Sequence, residues 1–443
     1  MNIFLGIFLG SKPTSAAHLP YKKITPTFGD DTTKLIVAVN QGDGFVYLKD
    51  KNLPNVETKR LFSRSSKDLY LDFLIYHIDL RRYALLEGDA KSLLHIAKHL
   101  VTDSKIEHIY YPNTPVPPPI DIDPTTPNFT PEQGFLDDFG ISTAYQWLNG
   151  QGEQVQIANI EYGYDNEHED LLNSPLEYDL GWPSETWTFH GNGTLGIMIG
   201  GDNTYGITGM SPNTSILMSS PFVVEDDYNI AQAIDNTTQL LEKGDILLIE
   251  QQGYEHFIYC PVEVEPAVFE SIELATAKGI HVIEPAGNGS TDLDADLWNG
   301  WFDRNIQDSG AIMVGAGASP YSLDEPRSWG NASSNYGSRI DVQGWVDSIV
   351  TTGGTDMADL FFPNNDPKQA YTAYFGGTSG ASAQIASVAA ILNSISISIH
   401  GTPYPTNTFR EMLVASSLPQ PESEEKHLGG QPHIGLFLQK FAH

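Results

Sequence analysis

The chain has little cysteine, little positive charge and no long apolar run. Of its 443 residues only Cys260 is a cysteine, so no disulfide can form within the chain. No catalytic-cysteine motif surrounds Cys260, and we expect a small buried or idle thiol. No run of 18 consecutive apolar residues occurs, so the sequence predicts no membrane-spanning helix. Hydrophobic residues still make up 40% of the chain, which is typical of a globular protein.

The charge of the chain is strongly negative and unevenly distributed. The sequence holds 24 basic and 56 acidic residues, a formal net charge of −32. Residues 1–112 contain 15 basic and 12 acidic side chains, whereas residues 113–443 contain 9 and 44. Because the large acidic part would repel phosphates, we predict no nucleic-acid partner. Two interpretations of the asymmetry stay open: solubility at high net charge, or docking of the basic segment on the acidic one.

The composition changes at a proline-rich segment, residues 110–131. Proline at this density disfavours helix and is typical of an extended connector. We therefore predict a linker over residues 113–134, a small domain over 32–112 and a large domain over 135–443. Residues 1–31 combine a short apolar run with small residues but lack a basic start. They are either a secretion signal or an N-terminal tail.

The small N-terminal domain is predicted to mix strands and helix. Residues 89–101 place apolar side chains at helical spacing and predict an amphipathic helix. Apolar and β-branched runs predict strands at residues 35–40, 70–80 and 106–111. The polar stretch 51–69 supports no prediction. These segments together indicate a compact α+β fold.

The large domain alternates strands with helices. Strands are predicted at residues 155–160, 215–220, 245–251, 279–286 and 311–317, and helices at 229–242 and 266–278. Near-continuous apolar strands separated by helices indicate an α/β fold, a doubly wound, mainly parallel sheet with helices on both faces. In such folds functional residues gather outside the carboxyl ends of the strands. Glu161 follows the first of these strands at such an end.

Three further segments place reactive side chains beside small residues. His190 precedes a glycine-rich stretch, Asn288 lies between two glycines after a strand, and Ser379 begins a long Ala/Ser/Ile-rich helix. A serine at a helix N-terminus has its oxygen beside unpaired backbone N–H groups at the positive end of the helix dipole. That position suits a nucleophile whose attack creates an oxyanion. Asn288, taken alone, is a typical turn residue.

These segments together resemble the subtilisin-like serine proteases, the subtilases, over residues 135–440. The family's serine motif Gly-Thr-Ser-x-Ala-Ser/Thr-Pro matches residues 377–382 and departs at Ala383, where the family has proline. Its histidine motif matches HGNGT at residues 190–194, and its oxyanion segment is similar to PAGN at residues 285–288. The acid, the histidine and the serine follow in the family's order. The resemblance therefore implies a subtilisin-like fold and serine endopeptidase activity.

The resemblance implies catalytic roles for four residues. Ser379 would attack the peptide carbonyl, His190 would act as its general base, and Asn288 would bind the oxyanion. Glu161 stands where the family has aspartate, so it would orient His190, provided that the backbone or His190 shifts to absorb the extra methylene. The alternative is a catalytically weak or inactive subtilase-fold protein that binds peptides. The sedolisin type is rejected, because Asn288 and His190 stand where that type has acids.

The resemblance also implies a substrate-binding strand and an opposite wall, formed by Glu250, Gln251, Gln252, Gly253, Ala286 and Gly287. The substrate would pair with this strand as an additional β-strand. The polar side chains favour a polar or basic substrate residue, or else they point away and pair with one another or with water. Glu284 would lie beside the primary pocket. Both interpretations stay open.

The family further implies how the protein is made and what it binds. The domain over residues 32–112 would be an inhibitory propeptide that is removed by self-cleavage, so the protein would be a zymogen. We expect protein or peptide substrates, a secreted or exported location, and no membrane or nucleic-acid partner. Catalysis would require no cofactor. Structural calcium is common in the family, but no ligand residues can be assigned here, and any metal residues are unknown.

Overall fold

The computed structural model describes residues 33–76, 79–110, 126–172, 176–184, 186–330 and 334–442. The predicted N-terminal tail and most of the predicted proline-rich linker lie outside these residues. The chain divides into two compact units, residues 1–121 and 122–443. Each unit has a hydrophobic core of its own.

The first unit is a four-stranded antiparallel sheet with helices. Its elements in chain order are β1 (Lys34–Val39), α1 (Gly44–Lys49), β2 (Val56–Arg60), α2 (Ser66–Tyr76), β3 (Tyr83–Gly88), α3 (Ala90–Leu100) and β4 (Ile106–Tyr110). The strands lie in the order β2-β3-β1-β4. The apolar side of α3 packs on this sheet through Leu93, Ile96 and Leu100. The predicted strands at 35–40 and 106–111 and the predicted helix at 89–101 are confirmed where the structure describes them.

The predicted strand at residues 70–80 is wrong, because residues 66–76 form helix α2. The run of Tyr, Leu, Phe and Ile favours a strand by propensity alone. A local signal opposes it: the Ser65 hydroxyl accepts a hydrogen bond from the backbone N–H of Asp68 and donates one to its carboxylate. This pairing starts the helix at its first turn. Strands β2 and β3 were not predicted at all.

The second unit contains most of the strands. In chain order they are β5 (Gln156–Ile160), β6 (Leu176–Leu180), β7 (Ser215–Ser219), β8 (Phe222–Val224), β9 (Asp227–Tyr228), β10 (Ile246–Ile249), β11 (Gln252–Glu255), β12 (Ile258–Pro261), β13 (His281–Pro285), β14 (Ile312–Gly317), β15 (Val342–Trp345), β16 (Ile349–Thr352), β17 (Tyr371–Phe375), β18 (Ser417–Leu418) and β19 (Gln431–Pro432). Seven of them form one sheet in the order β15-β14-β13-β10-β5-β7-β6. All six neighbouring pairs are parallel, which confirms the predicted sheet.

Helices cover both faces of this sheet. They are α4 (Gly134–Asp138), α5 (Ile141–Ala144), α6 (Thr188–Ile199), α7 (Ile230–Thr238), α8 (Pro266–Ala277), α9 (Gly377–His400), α10 (Thr406–Ala415) and α11 (Ile434–Phe441). Alternate residues of each strand face opposite sides. In β10, Leu248 packs in the cluster that contains α6 and α9, whereas Leu247 and Ile249 pack in the cluster that contains α7 and α8. The doubly wound α/β architecture is therefore confirmed.

Helix α9 is the central helix of the second unit. It is long and apolar enough to cross a membrane by length and composition, but 83% of its most hydrophobic window is buried inside the protein. Its alanine and isoleucine side chains join those of β5, β10 and β13 in one core. The helix is therefore a core element, and its first turn lies at the carboxyl edge of the sheet beside the site described next.

Candidate active site

Glu161 leaves strand β5 at its carboxyl end and is buried, with 1% of its surface exposed. Its backbone N–H still donates to the Ser219 carbonyl on the neighbouring strand β7, at 2.9 Å. One carboxylate oxygen, Oε1, accepts the Tyr162 N–H at 2.8 Å. The other oxygen is left to bond the imidazole of His190. A buried carboxylate with both oxygens bonded satisfies the requirement that buried charge be paired.

His190 lies in the first turn of α6, and its Nδ1 is 2.7 Å from Oε2 of Glu161. The next residue, Gly191, permits this approach. A Cβ atom at position 191 would lie 2.1 Å from the Gly163 carbonyl oxygen and 2.9 Å from Cγ of Glu161. The extra methylene of glutamate is therefore accommodated without loss of the hydrogen bond to the imidazole.

The charge around His190 favours its protonated form. Burial lowers the pKa of the imidazole, but the charge of Glu161, its hydrogen bond and the charge of Glu250 outweigh burial and raise the pKa to about 9. Burial also raises the pKa of Glu250 well above its usual range, against the smaller lowering effect of His190 and the Ser379 hydroxyl. Two carboxyl groups and one imidazole thus share a small volume.

Ser379 lies in the first turn of α9, which begins at Gly377. Gly377 has a φ of +70°, a conformation that glycine adopts without strain. It follows the strand β17 and turns the chain so that Ser379 reaches the sheet edge. The N–H groups of Gly377, Thr378 and Gly380 at this helix start donate to the Val346 carbonyl, the Asn288 side chain and the Gly376 carbonyl, so most of the expected unpaired donors are paired within the protein.

Asn288 is fixed next to this helix start. Its side-chain oxygen accepts hydrogen bonds from the backbone N–H and the hydroxyl of Thr378, at 3.0 and 3.2 Å. Its backbone N–H donates to Oε1 of Gln252 at 3.0 Å. The NH₂ group of Asn288 makes one long contact of 3.5 Å with Oε1 of Gln252, which leaves its second N–H as a donor. Thr378 had no predicted role, although it directly precedes the predicted nucleophile.

A cleft of about 440 Å³ brings the predicted residues together. It is lined by Tyr162, Trp187, Phe189, His190, Glu250, Gln251, Gln252, Tyr259, Pro285, Asn288, Thr378 and Ser379. Within the residues that the structure describes, no hydrogen bond of normal geometry joins Ser379 to His190. Catalytic hydrogen bonds are often long without substrate and tighten in the complex. The cleft thus contains an acid-oriented imidazole, a helix-start serine and an amide donor.

The predicted substrate residues differ in position. Glu250, Gln251 and Gln252 line the cleft. The side chain of Gln251 is buried and bonded to the Glu250 carbonyl and to the Tyr228 hydroxyl, so its polar atoms are occupied. The side-chain oxygen of Gln252 accepts the N–H of Asn288. These two side chains pair within the protein, which was one of the two interpretations left open.

The other predicted wall residues do not line the cleft directly. Gly253 lies in β11, Ala286 is fully buried, and Gly287 packs against Cys260 with a φ of +86°. The side chain of Glu284, expected near the primary pocket, is fully buried, and its Oε1 accepts the N–H of Glu263. Glu263 in turn pairs with buried Arg339 at 2.7 Å. Glu284 therefore belongs to a buried polar network.

Aromatic residues around the cleft were not predicted. Tyr162, Trp187 and Phe189 line one part of it, and Tyr259 lines another. Tyr259 belongs to a hairpin of β11 and β12 whose turn residues, His256 and Phe257, both have positive φ. The aromatic and β-branched residues over 254–259 favour strands, but residues 257–261 are continuously apolar, so the sequence carries no alternating hairpin pattern.

The comparisons with known proteins agree with this geometry. A family model described as the Subtilase family matches residues 135–431. No curated protein sequence matches the chain. Solved structures do match, and three of them are proteases with sequence identities of 15 to 18%. At this identity the likeness concerns the fold.

The three structures cover different shares of the chain. Prenylagaramide maturation protease PagA is 18% identical with a TM-score of 0.50, over 68% of this chain and 97% of its own. A protease from Pseudoalteromonas arctica is 16% identical with a TM-score of 0.52, over 71% and 99%. Fervidolysin from Fervidobacterium pennivorans is 15% identical with a TM-score of 0.50, over 95% of this chain and 63% of its own. The family match extends over more than half of the chain, which belongs to the subtilase family and is a subtilisin-like serine endopeptidase.

Proposed function

We propose that the protein hydrolyses peptide bonds through an acyl-enzyme on Ser379, with His190 as general base and Glu161 as the residue that orients it. The observation that supports this most directly is the 2.7 Å contact between Nδ1 of His190 and the buried carboxylate of Glu161. A carboxylate on Nδ1 fixes the tautomer in which Nε2 is free to accept a proton. Glutamate carries the same charge as the family's aspartate at this position.

The reaction proceeds by transfer of the Ser379 hydroxyl proton to His190 and from there to the leaving group. Oγ of Ser379 attacks the carbonyl carbon while Nε2 of His190, in its neutral form, takes the hydroxyl proton, and Glu161 stabilises the resulting imidazolium. Because the pKa of His190 is raised to about 9, the neutral fraction that acts as base increases as the pH rises towards this value. The tetrahedral intermediate collapses as His190 returns the proton to the leaving amine. A water molecule, activated by the same imidazole, then hydrolyses the ester and restores Ser379.

The oxyanion would be held by two donors. These are the NH₂ group of Asn288 and the backbone N–H of Ser379 at the start of α9. Thr378 occupies the oxygen of the Asn288 amide, and the NH₂ group, 3.5 Å from Oε1 of Gln252, keeps a second N–H for the oxyanion. Donors fixed in advance stabilise the charge only where it develops, in the transition state.

The activity is tested by digestion of an unfolded protein, with purified wild type, Ser379→Ala and the matched control Ser382→Ala. Ser382 is a buried serine on the same helix and does not line the cleft. We expect cleavage by wild type and by the control but none by Ser379→Ala. Equal cleavage by all three proteins would refute Ser379 as the nucleophile. A wild type that binds peptides without cutting them would support the alternative of an inactive peptide-binding subtilase.

We also propose that residues 32–112 form an inhibitory propeptide and that the protein is a secreted or exported zymogen. The proposal is supported by the compact first unit and by the excess of positive charge before residue 113. The alignment with fervidolysin also covers 95% of this chain and so extends into the first unit. Intact mass after incubation tests this proposal. We expect wild type to release a fragment of about 110–130 residues, and Ser379→Ala to stay whole. If the wild type cleaves other proteins but releases no fragment of its own chain, residues 32–112 are not a self-cleaved propeptide.

The proposed substrates are proteins or peptides, bound as a strand along residues 250–253. The partly exposed Gln252 and the aromatic wall around it leave space for an extended peptide. We propose no cofactor for the chemical steps, since all proton transfers are made by protein groups. Structural calcium stays a prediction without assigned ligands.

A further inference from the structure

Glu250 lies beside Glu161 at the carboxyl edge of the sheet. Ile249 of β10 pairs with Ile160 of β5 in parallel register, and the N–H of Glu250 donates to the Ile160 carbonyl at 3.0 Å. The two glutamates therefore follow neighbouring strands at the same level. Glu250 is 3% exposed and lines the catalytic cleft.

The carboxyl group of Glu250 has only the Ser379 hydroxyl as a weak hydrogen-bonding neighbour. Neither Oε1 nor Oε2 forms a hydrogen bond of normal geometry, and no other buried carboxyl in the described part of the chain lacks bonds on both oxygens. Buried acids are normally bonded, paired with a cation or coordinated to a metal, because an unpaired one is costly. By contrast, the side-chain oxygen of Gln252, two residues later, accepts a hydrogen bond from the backbone N–H of Asn288.

The neighbours of this carboxyl group are metal-binding groups. One oxygen of Glu250, one of Glu161 and one ring nitrogen of His190 all lie within 4.8 Å of one another. We propose that Glu161, His190 and Glu250 form a binding site for one divalent transition-metal ion such as Zn²⁺, and that the bound ion blocks catalysis reversibly.

The donor set selects the class of ion. An imidazole with two carboxylates suits zinc and its neighbours in the first transition series, which accept mixed nitrogen and oxygen ligands. Calcium and magnesium prefer six or more oxygen ligands, which the site does not supply. Tetrahedral zinc at about 2.0–2.2 Å from each ligand brings the ligand atoms to about 3.4 Å from one another. The three ligand atoms lie within 4.8 Å of one another, so the side chains would have to adjust to reach this spacing.

Ion binding and catalysis compete for the same imidazole. A metal bound to His190 prevents the ring from taking the proton of Ser379, so the ion would inhibit the enzyme, and a chelator would restore it. This inhibitory effect rests on the proposed function. The binding of the ion does not, because it requires only the three side chains.

Zinc binding is measured by calorimetry on the full-length Ser379→Ala chain, which cannot digest itself. We expect one site that involves Glu250, and a weakening of about 100-fold in the same chain with Glu250→Gln. Asp165→Asn is the matched control, since it removes a nearby carboxylate outside the group of three. Equal zinc affinity with and without Glu250→Gln would overturn the proposal, as would the absence of binding.

Two further sets of variants control for zinc binding elsewhere in the chain and for misfolding of Glu250→Gln. His95 and His99 lie one turn apart on α3, with ring centroids 4.7 Å apart, and could bind zinc independently. His95→Gln with His99→Gln removes that background. If Glu250→Gln fails to fold, as judged by circular dichroism, Glu250→Asp replaces it. Co²⁺ then reports the site directly: we expect a tetrahedral visible absorption spectrum that is lost in Glu250→Asp, and an unchanged spectrum would contradict the assignment.

Inhibition is tested on active wild type with added Zn²⁺ and then EDTA. We expect Zn²⁺ to abolish cleavage and EDTA to restore it. The inhibition should be weaker in Glu250→Gln when the activity of each protein is expressed relative to its own activity without zinc. Zinc binding that depends on Glu250 in an enzyme without activity would support the site and refute the proposed function. Full activity at zinc concentrations that saturate the site would refute the inhibitory role.

Discussion

Nδ1 of His190 lies 2.7 Å from the carboxylate of Glu161, a residue that is one methylene longer than the aspartate of the subtilase family. The contact forms because Gly191 lets the start of α6 approach the end of β5. The geometry makes the length of this acid testable.

Substitution of Glu161 separates its charge from its length. Glu161→Gln keeps the length but removes the charge, and we expect kcat/KM to fall about 10⁴-fold, since the amide favours the wrong tautomer of His190. Glu161→Asp keeps the charge but shortens the side chain, and we expect a loss of about 10²-fold from misplacement. Steady-state kinetics on a peptide substrate measures both. Glu167→Gln, an exposed acid in the same loop, serves as control and should match wild type.

Asn288→Ala removes the proposed oxyanion donor. We expect kcat to fall about 10²- to 10³-fold with KM little changed, because the lost interaction exists only in the transition state. Thr378→Val removes only the hydroxyl that holds the Asn288 oxygen at 3.2 Å and should cost much less. A rise of KM with unchanged kcat in Asn288→Ala would mean that this residue only binds the ground state.

Gly191→Ala tests the close approach of helix and strand. The new Cβ would lie 2.1 Å from the Gly163 carbonyl oxygen, so the helix must move away from β5. We expect a loss of about 1–3 kcal/mol in the free energy of unfolding together with a lower kcat/KM. Gly401→Ala is the comparison, because a Cβ there meets nothing within 4 Å. It should lower stability slightly through its φ of +71° and leave activity unchanged.

Arg410 stabilises the fold through Asp308, to which it donates two hydrogen bonds of 2.8 and 2.5 Å. Burial alone would raise the pKa of Asp308, but these bonds hold it well below its usual range. An acid with a lowered pKa stabilises the folded state above its unfolded pKa of about 3.9 and loses this effect as the pH falls towards the folded pKa.

The corresponding experiment is urea unfolding of Arg410→Met as a function of pH. We expect a loss of about 1–3 kcal/mol at pH 7. The difference from wild type should shrink progressively below about pH 4. Lys243→Met, at an exposed position, is the control and should show no such pH dependence. A difference that stays constant down to the acid transition would assign the effect to packing by Arg410.

The sequence predicted the sheet and the residues that meet in the cleft because their signals are local. Strand β5 and the acid that ends it are visible as an apolar run followed by Glu161. The short motifs around His190 and Ser379 require only a few consecutive residues. The fold then brings these strand ends and helix starts to one edge, as parallel α/β topology dictates.

Features that depend on distant partners were beyond such patterns. Helix α2 is a different case: the hydrogen bond between Ser65 and Asp68 that caps it is local, but the strand propensity of the following apolar residues outweighed this signal in the prediction. Whether Glu284 faces the substrate or a buried network depends on Glu263 and Arg339. Both residues are distant from Glu284 in the sequence, and no motif identifies them as its partners. The sequence could not show that the carboxylate of Glu250 lacks hydrogen bonds of normal geometry, because this depends on which donor groups the neighbouring strands place beside it.

The central claim is that Glu161 activates Ser379 through His190, and labelling with a fluorophosphonate tests it most directly. Intact mass is measured on wild type, Ser379→Ala and Glu161→Gln after removal of metal by EDTA and of the N-terminal unit by an added protease. We predict one adduct on wild type, none on Ser379→Ala and much slower labelling of Glu161→Gln. An unlabelled wild type, or equal labelling rates of wild type and Glu161→Gln, would contradict the claim.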